Sequence, residues 1–187
     1  GNPINVTWGV AGPYELSVSQ ISTNGLACES EPTSINIDQI SGFTITGDQE
    51  VCQDQTNSYN ATYYEGVEYN WTISPDGIGT IISDPTTSTI EVLWHTDGPA
   101  NLGLSVCGES VNYPVTIHPR PQPVVNQPAD LCPNETGMAS TTIPFTNYTW
   151  KDEFGTVVSN AASPDLGPGY YQVVVENEFG CLGDTTF

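Results

Sequence analysis

The chain is predicted to be all-β, and three observations carry that prediction. Only 13% of its 187 residues are charged, while 18 glycines and 15 prolines fill it with turn formers; such a composition is poor in helix-favouring residues and rich in residues that end strands. Short runs alternate apolar and polar side chains with a period of two, and no stretch shows a helical period of useful length. The chain also repeats itself. Ile4-Asn5-Val6-Thr7-Trp8 is echoed by Ile90-Glu91-Val92-Leu93-Trp94, Gly12-Pro13 by Gly98-Pro99, and Leu16-Ser17-Val18 by Leu104-Ser105-Val106.

A second echo links the middle of the chain to its last third. Glu50-Val51-Cys52 matches Asp130-Leu131-Cys132, and Tyr69-Asn70-Trp71 matches Tyr148-Thr149-Trp150. Gly169 to Val175 followed by Gly180-Cys181 likewise matches Gly12 to Val18 followed by Cys28, with a longer loop in the earlier copy. Three related units emerge. Residues 1–40 read as the C-terminal half of a domain, 41–119 as a complete domain, and 120–187 as a further sandwich whose last strand the sequence leaves open.

Within the middle unit the strand-like runs are Val67 to Ile73, Gly79 to Ser83, Ser88 to His95, Asn101 to Cys107 and Asn112 to His118. Ile90, Val92 and Trp94 share one face of their strand, as do Leu102, Leu104 and Val106 of theirs, so these two faces are expected to pack together. Turn chemistry separates the runs at Ser74-Pro75-Asp76-Gly77, Asp84-Pro85 and Asp97-Gly98-Pro99. Six or seven short strands with a central tryptophan fit an immunoglobulin-like β-sandwich. Pro119-Arg120-Pro121-Gln122-Pro123 reads as a stiff, extended linker; the boundary near Ile40-Ser41-Gly42 is softer. Four Trp, nine Tyr and five Phe suffice for small sandwich cores.

The five cysteines, Cys28, Cys52, Cys107, Cys132 and Cys181, contain no Cys-x-x-Cys pair, and only His95 and His118 could assist them on a metal, so zinc spacing is absent. Disulfides are the expected use. If each domain closes on itself, Cys52 pairs with Cys107 and Cys132 with Cys181, leaving Cys28 for a partner upstream of Gly1. The alternative is five reduced cysteines buried as small hydrophobes. Bridges persist in oxidising surroundings, which points to an extracellular or cell-surface location.

Charge removes whole classes of partner. Against 22 acidic residues stand two basic ones, for a net charge of −20 at pH 7, and Arg120 and Lys151 cannot form the basic patch that nucleic acid or an anionic membrane requires. No run approaches the 18 apolar residues of a membrane span, so no membrane insertion is expected, and the chain reads as a processed excerpt of something longer.

Taken in order, Thr46-Gly47-Asp48, Val51-Cys52, Tyr69-Asn70-Trp71-Thr72-Ile73, Ile90-Glu91-Val92-Leu93-Trp94 and Leu104-Ser105-Val106-Cys107 resemble the PKD-like, immunoglobulin-like repeats of giant surface proteins of Bacteroidota, including SprB-type gliding-motility adhesins. Tyr148-Thr149-Trp150, Gly167-Pro168-Gly169-Tyr170 and Gly180-Cys181 resemble the related Ig-like repeat found beside them. The resemblance implies an extracellular, non-enzymatic stalk that is exported by type IX secretion machinery and works in adhesion or gliding. It also implies that Asp184-Thr185-Thr186 matches a short O-glycosylation motif, with Thr185 as acceptor.

Other chemistry has candidate residues too. A Ser, His, Asp triad would need His95 or His118 as base; each reads instead as a surface histidine, one at a strand end and one in the linker. Paired carboxylates could serve a glycosidase, yet 22 acids make proximity uninformative, and a solvated acidic face is the expectation. Calcium is the best cofactor candidate, with Asp76, Asp84 and Asp97 in loops and Glu29 and Glu31 near the first junction as ligands; otherwise no cofactor is expected. Asn-x-Ser/Thr sequons stand at Asn5, Asn60, Asn70, Asn134 and Asn147. Trp8, Trp71, Trp94 and Trp150 could stack on sugars but read as core, leaving Tyr63, Tyr64, Tyr170 and Tyr171 as the better exposed aromatics.

The combined reading is a non-enzymatic repeat segment of a long extracellular adhesin or filament. Its partners would be neighbouring repeats, surface glycans or copies of itself. The alternative is an accessory carbohydrate-binding or spacer region of a secreted polysaccharide-degrading enzyme.

Overall fold

The computed structural model describes residues 6, 14–22, 28–37, 42–127 and 131–187, all in strands, turns and loops with no helix. The chain divides into two compact units, Gly1–Gly42 and Phe43–Phe187. In the first, β1 (Tyr14–Val18) and β2 (Thr33–Ile37) form an antiparallel hairpin from Tyr14 opposite Ile37 to Val18 opposite Thr33. A bridge from Ile21 to Glu29 extends the pairing into the loop. Of the first repeat copy, Ile4 to Trp8, only Val6 is described, so Trp8 and the Asn5 sequon lie outside the described residues.

The second unit begins with a sandwich of eight strands: β3 (Ile45–Thr46), β4 (Glu50–Cys52), β5 (Thr56–Ala61), β6 (Tyr69–Ser74), β7 (Gly79–Ile81), β8 (Thr89–Trp94), β9 (Gly98–Val106) and β10 (Glu109–His118). One sheet has the order β3-β5-β8-β7, the other β4-β10-β9-β6. The two faces singled out in the sequence meet between them. Ile90, Val92 and Trp94 from β8 and Leu102, Leu104 and Val106 from β9 are all buried in one core with Tyr59, Trp71 and Ile117. Gly79 is required there, because a Cβ at that position would come within 2.7 Å of the Trp94 ring.

The hairpin joining β9 to β10 turns on two residues, Cys107 (φ 51) and Gly108 (φ 87). Positive φ at both positions is the primed turn whose twist suits adjacent strands. The strand β10 then runs ten residues to the far end of the sandwich, where His118 pairs in parallel with Cys52.

The remaining strands are β11 (Val125–Asn126), β12 (Gly137–Met138), β13 (Ser140–Thr141), β14 (Asn147–Asp152), β15 (Val157–Ser159), β16 (Asp165–Leu166), β17 (Tyr171–Glu176) and β18 (Leu182–Thr186). A sheet of order β15-β14-β17-β18 faces two short pairs, β11-β13 and β12-β16. Trp150, Val173 and Val175 are buried between these layers. The strand β18 pairs antiparallel with β17, from Leu182 opposite Glu176 to Thr186 opposite Gln172.

The repeated Tyr-x-Trp motif does the same work in both sandwiches. Trp71 donates its indole N–H to the Thr87 carbonyl at 2.9 Å, and Trp150 donates to Ala161 at 2.8 Å. The Tyr69 hydroxyl accepts from the Tyr64 N–H at 2.8 Å, and that of Tyr148 accepts from the Phe145 N–H at 2.8 Å. Each motif thus buries two large rings while pinning two loops, satisfying polar groups that burial would otherwise leave costly.

Candidate functional site: a cross-linked joint

The feature that distinguishes the second unit is the joint between its two sandwiches. It is built where β4 and β10 end side by side, because adjacent strands lie about 4.8 Å apart and bring Cys52 next to His118. From His118 the chain passes through Pro119 to Pro123, with Pro121 and Pro123 buried. From Cys52 a disulfide crosses to Cys181, with the two Cα atoms 5.5 Å apart. Two covalent connections therefore leave the first sandwich from neighbouring strands.

They also arrive together. Cys181 is fully buried just before β18, and two residues later Gly183 lies so close to Pro121 that a Cβ would clash with the proline carbonyl oxygen. Only glycine allows the linker to lie on β18. Around this contact the His118 ring stacks on Phe179 at a centroid distance of 3.8 Å and a plane angle of 9°, and its Nε2 meets the Glu50 carboxylate. The Asn177 side chain donates to the Pro119 carbonyl at 3.2 Å. Arg120 donates to Asp184 at 2.7 Å, and Gln172 donates to the other oxygen of that carboxylate at 2.9 Å. The Arg120–Asp184 pair is half-exposed, worth about 0.2–1 kcal/mol. The disulfide dominates: closing a loop with a sequence separation of 129 removes about 5 kcal/mol of denatured-state entropy.

This pairing corrects the expectation of one bridge inside each domain. Cys52 lies at the His118 end of β10, whereas Cys107 is the turn residue at its other end, about 30 Å away for a ten-residue strand. A disulfide tolerates Cα separations of only about 7 Å. Cys132 fails to reach Cys181 for the same reason. Its neighbour Leu131 lines a pocket with Tyr171 and Phe187, at the end of β17 and β18 opposite to Cys181. Cys107, Cys132 and Cys28 are all exposed free thiols, so the alternative of five reduced, buried cysteines fails too.

Other expectations are redistributed by the fold. His118 is the last residue of β10 and half-buried in the joint, not a surface group on a loose linker. His95 is exposed after β8, with its Nε2 2.8 Å from the Thr80 hydroxyl. Asp76, Asp84 and Asp97 are not gathered; among the described residues no three His, Cys, Asp or Glu side chains form a metal-ligand group. Asp84 instead caps its own turn, accepting from the Thr86 N–H at 2.9 Å and hydroxyl at 2.7 Å. The hydroxyl, then the N–H, holds its carboxyl below the ordinary value. Glu29 accepts from the Ser19 hydroxyl at 2.6 Å.

Thr185 is half-buried opposite Val173, on the core side of β18, while Asp184 beside it is taken by Arg120. The sequon residues Asn60, Asn70, Asn134 and Asn147 are exposed. Trp71, Trp94 and Trp150 are core, as expected. Tyr63 and Tyr170 are 70% and 76% exposed, whereas Tyr64 and Tyr171 are half-buried. What the sequence reading missed is the joint itself. The available signal was positional, since a cysteine before the first long strand and one in the closing hairpin mark opposite ends of a sandwich.

No protein-family model matches the chain, and no curated protein matches it significantly. Among solved structures it is similar to the C-terminal 282-residue fragment of intimin, determined with the intimin-binding domain of the translocated intimin receptor (14% identity, TM-score 0.47). That match covers 79% of this chain and 64% of the intimin fragment, so the chain spans under two thirds of that relative's length. A run of titin domains matches at 14% identity over 87% of this chain and 68% of that one, with a TM-score of 0.41. The fibronectin(III)-like modules of Clostridium thermocellum CbhA match at 15% identity over 76% and 91%, with a TM-score of 0.37. These likenesses concern the β-sandwich fold alone; the fold assignment here rests on the strand order.

Proposed function

We propose that the chain is a structural segment of a long extracellular stalk or filament that supports adhesion or gliding motility. The observation that carries this reading is the double attachment at the joint. A single peptide linker lets two sandwiches swing; a second covalent tether beside it, a ring stack and the buried Pro121 and Pro123 of the linker remove that freedom. Stiffness between domains serves a protein that must hold its tip away from a surface, and it has no evident use in a chain whose domains act separately. The high negative charge keeps neighbouring stalks apart by repulsion that salt screens. The resemblance to PKD-like repeats supports the cell-surface location and export by type IX secretion machinery. An antibody against this segment, visualised by immunogold electron microscopy on intact cells, tests the reading. Label strung along surface filaments supports it, and label confined to soluble particles in the medium refutes it.

One patch favours the second reading, an accessory carbohydrate-binding module. Tyr170 projects beside Asp152, Glu153 and Gln172 in an open pocket that Tyr171 and Phe187 also line. An exposed ring with carboxylates and an amide around it offers a stacking face and hydroxyl acceptors for a sugar. Glycan-array binding that is lost in Tyr170→Ala would establish it; an array without signal would dismiss it.

A further inference from the structure

The bond between Cys52 and Cys181 joins two positions that recur along the chain. Cys52 stands before a two-residue turn, Gln53-Asp54, in which Asp54 has φ 64 and the Gln55 N–H donates to the Cys52 carbonyl at 3.3 Å. Cys132 stands before Pro133-Asn134, in which Asn134 has φ 74 and the Glu135 N–H donates to the Cys132 carbonyl at 3.0 Å. These are copies of one opening turn. The corner of the closing hairpin is copied too. Just beyond β17 the Asn177 N–H donates to the Cys181 carbonyl at 3.0 Å, and beyond β1 the Ser22 N–H donates to the Cys28 carbonyl at 3.0 Å.

Both opening turns, and the corners of the β1–β2 and β17–β18 hairpins, thus carry a cysteine, whereas Cys107 lies within the two-residue turn of the β9–β10 hairpin. Where the chain holds both an opening turn and the hairpin of the sandwich that follows, the two are bonded. Cys132 and Cys28 occupy the same two positions, and both are exposed thiols.

We propose that Cys132 and Cys28 form the same staple with adjoining repeats: Cys132 with the closing-hairpin cysteine of a sandwich that follows, and Cys28 with the opening-turn cysteine of one that precedes. The proposal rests on the repeat-array reading above and adds to it that the joints served by Cys132 and Cys28 are bonded in the manner of Cys52–Cys181. The bond forms by thiol–disulfide exchange with a disulfide-bearing thiol oxidant. The Cys132 thiolate, having given up its proton, attacks one oxidant sulfur and expels the other as a thiolate. The hairpin thiolate of the adjoining repeat then attacks Cys132 sulfur in the mixed disulfide and expels the second oxidant thiolate. Two protein thiols have lost two protons and two electrons, and the oxidant disulfide has become a dithiol.

The test is disulfide mapping of the native, full-length protein, alkylated with N-ethylmaleimide before the cells are opened and digested without reductant. The expected result is that the Cys132 peptide carries no alkylation and is found cross-linked to a cysteine peptide from another sandwich repeat, alongside the Cys52–Cys181 peptide pair. Mobility on a denaturing, non-reducing gel separates the two sources of that repeat: a monomer band places it in the same chain, and a ladder in a second copy. Alkylated Cys132, or Cys132 joined to Cys107 or to a small thiol, overturns the proposal while leaving the stalk reading standing if Cys52–Cys181 is found. Loss of Cys52–Cys181 as well removes the observation on which the stalk reading stands.

Discussion

With the staple closed, tension applied to the ends of the chain bypasses most of the second unit. Force reaching Cys52 passes through sulfur to Cys181, so residues 53–180, nearly all of both sandwiches, sit in a loop that carries no load. The length held back follows from the sequence separation of 129 at about 3.6 Å per extended residue, which gives about 460 Å; the 5.5 Å between the Cα atoms is negligible beside it. Opening the bond by reductant, or replacing it with the double variant Cys52→Ser, Cys181→Ser, should therefore add about 460 Å to the contour length released when the whole chain is stretched to full extension. Optical tweezers with handles at both ends read this length directly. Any contribution from residues 1–42 is the same in both states and drops out of the difference. Equal release from oxidised and reduced chains would refute the load-path argument.

Smaller perturbations probe the parts that position the joint and the cores. Gly183→Ala inserts a methyl where Pro121 already lies, so urea denaturation should show a loss of about 1–3 kcal/mol, the usual cost of overpacking. Tyr148→Phe removes the hydroxyl that accepts from the Phe145 N–H and should cost about 1–3 kcal/mol by the same assay. Burial pushes the Tyr59 phenol up to about 12 from 10.0. The folded state therefore keeps this proton between pH 10 and 12 while the unfolded state loses it, so its contribution to stability is intact below pH 10 and lost as pH rises through that window. Ultraviolet titration should find one tyrosine ionising last, near 12, and that step should disappear in Tyr59→Phe.

Much of the first sandwich was legible because its strands carry several alternating apolar residues. The run Ser88 to His95 corresponds to Thr89–Trp94, and Asn112 to His118 to the last seven residues of Glu109–His118. The strand Thr56–Ala61 was not read individually, since among Thr, Asn, Ser, Tyr, Asn and Ala only Tyr59 is buried; one large ring filling the core replaces the usual alternation. The paired fragments Val125–Asn126 and Gly137–Met138 are two residues long and carry no period at all. The joint was obscured for a different reason. Reasoning from domain closure treats cysteines as ends of a loop, whereas which of them can meet depends on the strand end each occupies, and that becomes visible only once β10 is known to span the sandwich from Cys107 to Cys52. Likewise the proline run marks a connection in the sequence, but its packing against β18 depends on Gly183, far away in sequence.

A closed staple should hold the two sandwiches as one rigid body. The free thiols supply the probes for it, because Cys107 and Cys132 are exposed on different sandwiches. In a Cys28→Ser chain, nitroxides on those two cysteines allow the distance between them to be measured by double electron–electron resonance. With Cys52–Cys181 intact a single narrow distance distribution is expected, broadened in the Cys52→Ser, Cys181→Ser background. A broad distribution with the disulfide closed would contradict it.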